Sequence, residues 1–146
     1  MTLADRVKQD LTSAMKAGEK DRVGTLRYVL SELQKAAKEG GADELAVLRR
    51  ERKRRQESAM AFREGGRDDL AAAEEAESAV IEAYLPAELS DAELREIVRD
   101  AIVDTGATGP KDMGRVMRAA MDKAEGRADG RRVSALAQEA LKGAPA

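Results

Sequence analysis

Apolar residues in this chain recur at intervals of three and four, and glycines interrupt them at intervals of a helix length. Leu3, Val7, Leu11, Ala14 and Met15 make one stripe, and Val23, Leu26, Leu30, Leu33 and Ala37 make another. No stretch alternates with period two, and Ala, Glu, Arg and Leu dominate while β-branched residues are sparse. That pattern fits helices and excludes sheets, because a strand presents alternate residues to its core. The chain is therefore read as all-α.

The punctuation divides it further. Thr2 can cap a first helix that ends near Gly18, and a second runs from about Lys20 until Gly40 and Gly41 stop it. A third runs from about Asp43 to Glu64, and Gly65-Gly66 turns it into a fourth from about Arg67 to Tyr84. Pro86 ends that helix, since the residue before proline avoids the α region. Ser90 and Glu93 form a capping box for a fifth helix reaching about Asp104. Pro110 suits the first turn of a sixth, Lys111 to about Lys123, and a seventh follows Asp129. The expected organisation is a four-helix domain over 1–86 and a three-helix module over 89–146.

The segment "LRRERKRRQE" concentrates charge in the third helix, with six basic residues between Arg49 and Arg55. It can be an RNA-binding face or a docking surface, or it can pair with the acidic fourth helix. Folding back at Gly65-Gly66 gives partners whose numbers sum to about 132. Leu48 then meets Tyr84, Phe62 meets Leu70, Arg55 meets Glu77 and Arg52 meets Val80. Because Arg49 to Ser58 holds no apolar residue, this part of the hairpin is expected to be poorly buried and to project.

Composition removes many chemistries. The 146 residues include no Cys and no His, so disulfides, thiolate metal sites and the commonest general base are absent. The connector "TGATGPKDMG" lacks the Gly-Lys-Ser/Thr ending of a phosphate loop. No catalytic residue, metal or cofactor is expected. No apolar run approaches membrane-spanning length, and no signal-peptide core opens the chain, so a cytoplasmic location is expected. Tyr28, Phe62 and Tyr84 are the only aromatics, too few for base-stacking platforms. The Met113, Met117 and Met121 series reads as core.

Net charge is −2 overall, but it is unevenly spread. Leu89 to Asp104 carries two basic and five acidic residues, whereas Lys111 to Arg132 carries seven basic and four acidic. Local positive charge attracts phosphate even on an acidic protein. Within "EGRADGRRVSAL", Gly126, Asp129 and Val133 suffice to build a turn and seat a helix, with Gly126 ending the preceding one. Arg127, Arg131 and Arg132 are surplus to that task and offer forks suited to phosphate. Lys111, Arg115 and Lys123 lie on the outer faces of the same module, as does Arg118. Gly126 and Gly130 give a foreign backbone room to approach.

Four segments together carry a resemblance: "AMKAGEKDRVGTLR", "YLPAELSDAEL", "GATGPKDMGRVM" and "GRADGRRVSAL". Over nearly its whole length the chain resembles the GatB/YqeY family. The C-terminal part is similar to the tail domain of the B subunit of aspartyl/glutamyl-tRNA amidotransferase, a helical module that helps recognise the outer corner of tRNA. The resemblance implies a tRNA- or RNA-binding accessory protein, with tRNA or another structured RNA as partner and no DNA. An amidotransferase or an aminoacyl-tRNA synthetase is a further partner it implies. It points to Gly126, Arg127, Ala128, Asp129, Gly130 and Val133. It also carries the label of a carbon-nitrogen ligase with glutamine as amido donor, hence an alternative role assisting transamidation of mischarged tRNA. The catalytic domain that would perform that reaction has no counterpart here. A helical protein-interaction module is the remaining alternative.

Overall fold

In the computed structural model, which describes residues 1–40 and 43–142, seven α-helices and one short 3-10 turn form the described part of the chain, with no strand. The stop expected at Gly41 lies outside the described residues. The chain divides into two compact units, Met1–Pro86 and Ala87–Ala146.

The N-terminal unit holds α1 (Leu3–Ala17), α2 (Lys20–Lys38), α3 (Glu44–Glu64) and α4 (Asp68–Glu82). Thr2 caps α1 as expected, and Asp5 closes the capping box by accepting the Thr2 N–H at 3.1 Å. The carboxylate of Glu44 adds a tertiary cap, accepting the N–H groups of Leu3 at 3.1 Å and Ala4 at 2.9 Å. A negative group there also favours the helix dipole. Gly18 ends α1 in the left-handed region, with φ 71°.

Val7, Ala14, Leu26, Val29, Leu33, Val47, Leu48, Ile81 and Tyr84 form the core of this unit. Met15, assigned to the apolar stripe, is about half exposed. Tyr84 donates its hydroxyl hydrogen bond to the Asp10 carboxylate, and the Arg6 guanidinium lies 5.3 Å from its ring centre. Burial, reinforced by Asp10, pushes the Tyr84 phenol up to about 12.

The α3–α4 register follows the turn-based expectation. Leu48 and Tyr84 share the core, and Arg55 lies 3.5 Å from Glu77. The expected exposure of Arg49 to Ser58 holds at Arg50, Lys53, Arg54, Gln56 and Glu57 but is overturned at two positions. Glu51 is fully buried and Arg52 is 7% exposed. Glu51 accepts from Arg55 at 2.9 Å and from Arg54 at 3.4 Å, with Arg50 at 3.9 Å. Arg55 also sits 5.0 Å from the centre of the Tyr28 ring on α2. Arg50 reaches Glu32 of α2, and Arg52 reaches Glu82 of α4. Charged residues can thus replace apolar ones inside this hairpin because each brings its counter-charge, and arginine stems are themselves apolar. The tip is exposed, with Met60, Ala61, Arg63, Glu64 and residues 65–69 facing solvent.

The C-terminal unit holds α5 (Asp91–Thr105), the 3-10 turn Pro110–Asp112, α6 (Met113–Ala124) and α7 (Gly130–Lys142). Its core is Leu89, Leu94, Val98, Ala101, Val116, Ala120, Ala124, Ala128, Val133, Ala137 and Leu141. Five of these are alanine, so the helices pack closely with little side-chain volume between them. The methionine expectation is corrected in part: Met113 and Met117 are half-buried at the edge of this core, while Met121 is 36% exposed. Pro110 starts a separate 3-10 turn rather than α6 itself. Asp112 explains the break, since its carboxylate turns back to accept the Thr108 N–H at 2.9 Å.

Candidate nucleic-acid interface

Three helices of the C-terminal unit position the candidate cations. The Ser90–Glu93 capping box fixes the start of α5, with reciprocal hydrogen bonds of 3.1 Å. α6 ends at Ala124, and the chain then passes through two successive left-handed residues, Glu125 (φ 49°) and Gly126 (φ 75°). The helix therefore ends on Glu125, one residue before the expected glycine. Gly126 is still required, because a second left-handed residue in a row strains an L side chain. Arg127 N–H returns to the Ala124 carbonyl at 2.9 Å, and Ala128 is buried. Asp129 then accepts the Arg131 N–H at 2.8 Å at the start of α7, the N-cap role expected of it.

Arg127 and Arg132 are both engaged in the fold. Arg127 donates from Nε to the Ala87 carbonyl at 2.8 Å. Arg132 donates from Nη2 to the Leu89 carbonyl at 2.8 Å and to Asp91 Oδ1 at 2.9 Å, and its Nη1 lies 3.7 Å from Glu88. The Leu89 N–H donates to the Arg127 carbonyl at 2.8 Å, so the two segments are laced in both directions. The Arg132 guanidinium holds the Asp91 carboxyl below the ordinary carboxylate range. Arg131 is exposed on the first turn of α7.

The partners differ in charge. Arg132 meets carboxylates, whereas the Arg127 guanidinium donates to a neutral carbonyl, and no ion pair joins it to a described carboxylate. The charge on Arg127 is therefore held in place without being neutralised by contact.

The supporting cations are less concentrated. Arg115 bonds Asp112 at 2.6 Å and the Thr105 carbonyl at 3.0 Å. The backbone N–H of Thr108, then Arg115, hold the Asp112 carboxyl down at about 2. Lys123 pairs with Asp104 at 2.7 Å. Lys111 is exposed. Gly130 is not a crowded position, since a Cβ there would meet only the Met121 terminal methyl at 3.9 Å. Glu88 and Asp91 are the site residues that reading along the chain missed. Their tie to Arg132 spans about forty residues, and only the acids of "AELSD" facing a later basic run hint at it.

No group of three or more acids among the described residues is disposed to hold a metal ion. No described helix is long and apolar enough to cross a membrane.

Fold and site together define an all-helical protein of two units, in the second of which guanidinium groups bind backbone carbonyls and carboxylates of the same unit. The family model described as Yqey-like protein matches residues 4–141, and the chain belongs to that family. It is also similar to an uncharacterized protein of Schizosaccharomyces pombe, with 32% identity over 90 residues, covering 58% of this chain and 73% of the relative.

Proposed function

We propose that the protein is a tRNA- or RNA-binding accessory protein whose C-terminal unit engages the phosphate backbone. Arg127, Arg131 and Arg132 make the contact, with Lys111, Arg115 and Lys123 adding long-range attraction. The carrying observation is Arg127. Its guanidinium is oriented by a carbonyl, keeps its charge uncompensated by an ion pair, and stands within five residues of two more arginines. Family membership supports the same reading, through the likeness to the amidotransferase tail.

The test is binding of unfractionated tRNA at two salt concentrations. Arg131→Ala and Arg127→Ala/Arg131→Ala/Arg132→Ala are compared with the wild type, and thermal melts check that each variant is folded. Affinity should fall with salt for the wild type, and the triple variant should bind more weakly with a flatter salt slope. Equal affinity in folded wild-type and triple-variant proteins would remove this site assignment.

A further inference from the structure

The residues that hold Arg127 and Arg132 are themselves informative. All lie in one short stretch, Ala87 to Asp91, which opens the C-terminal unit and links it to the preceding one. It offers two backbone carbonyls and two carboxylates to the two guanidiniums. A phosphodiester backbone offers the same kind of chemistry: oxygen acceptors, some charged, spaced along a chain. We infer that the Glu88 and Asp91 carboxylates are internal occupants of the arginine site, which an RNA backbone displaces on binding while Leu89 stays in the core. This rests on the RNA reading above and adds its regulation: part of the site is closed until these carboxylates give way.

The geometry suits displacement. The Asp91 side chain is 68% exposed and that of Glu88 is 36% exposed. Ion pairs this open to water hold weakly, and both are within reach of a competing anion. The depressed Asp91 carboxyl shows that Arg132 stabilises an anion beside it. Glu93 also feels Arg127, but its carboxylate is committed to the Ser90 N–H, which keeps the backbone at the start of α5 in place when the Glu88 and Asp91 carboxylates are displaced.

Two measurements on the full chain test this. In the first, tRNA binding is compared for the wild type, Glu88→Gln/Asp91→Asn, and Glu96→Gln/Asp122→Asn, which removes the same charge from acids that form no ion pair with these arginines. The first variant should bind about fivefold tighter at low salt, and the second should change by less than about twofold. Equal tightening in both variants, or none in the first, overturns the inference. In the second, a glutamate-specific protease cleaves the wild type with and without inorganic polyphosphate. Cleavage after Glu88 should accelerate relative to cleavage after Glu139. An unchanged ratio overturns the inference independently of RNA. If tRNA fails to bind any variant while polyphosphate still exposes Glu88, the RNA reading falls and the displacement stands.

Discussion

The protein has two arginine clusters, and they are satisfied differently. On α3, the run Arg49 to Arg55 meets carboxylates: Glu51 in its own helix, Glu32 from α2, and Glu77 and Glu82 from α4. At the start of α7, Arg127 meets a carbonyl, and Arg132 shares its donors between a carbonyl and exposed acids. The denser cluster is the more neutralised one. Density of charge along a sequence is therefore a poor guide to which charges stay uncompensated, and the chemistry of the partners is a better one.

The largest expected effect tests the structural side of that contrast. Glu51→Ala leaves the largely covered Arg55 side chain without its nearest counter-charge and should cost about 3 kcal/mol in chemical denaturation. A cost under about 1 kcal/mol would mean that Glu77 and Tyr28 alone hold Arg55. The same variant, while folded, should bind tRNA like the wild type. A clear loss there would collapse the distinction between the two clusters.

On the other side, Arg127→Ala should reduce the slope of log affinity against log salt by about 1, the value of one phosphate contact. An unchanged slope would mean that its uncompensated charge faces no phosphate. Ser90→Ala should be milder, costing about 1 kcal/mol through loss of the α5 cap. It should also loosen the anchoring of Leu89, which a rise in amide exchange at Leu89 would register.

The smallest effects come from pH, and they have opposite signs in the two units. Asp112 has a folded value of about 2 against an ordinary 3.8, so its contribution is intact above pH 4 and lost as pH falls through about 2. Tyr84 has a folded value of about 12 against 10.0, so its contribution is intact below pH 10 and lost as pH rises through about 12. Amide exchange should therefore quicken around Thr108 at the acid end and around Tyr84 at the alkaline end. The reverse order would contradict both assignments.

Local chemistry was legible along the chain. Thr2, Gly18, Asp43, Ser90 with Glu93, and Asp129 act where their residue types imply, because caps and turns are decided within a few residues. The α3–α4 register was also legible, since one turn fixes it. Burial of Glu51 and Arg52 was not, because it depends on partners from α2 and α4 rather than on their own polarity. Nor was the engagement of Arg127 and Arg132. Their acceptors lie some forty residues away, and two are carbonyls, which no residue type announces. For the same reason Arg127 and Arg132 looked surplus to the turn, when they also lace Ala87 to Asp91 onto it.

The place of Tyr84 in the fold also has a practical use. Tyr28, Phe62 and Tyr84 all precede Pro86, and there is no tryptophan, so every ultraviolet-absorbing side chain belongs to the N-terminal unit. Near-ultraviolet spectra and intrinsic fluorescence consequently report that unit alone, with the Tyr84 phenol bonded to Asp10 as a native marker. Far-ultraviolet ellipticity reports both. The two signals recorded on one sample should separate the melting of the units without a label, and a tryptophan placed at exposed Val103 would give the silent half its own colour.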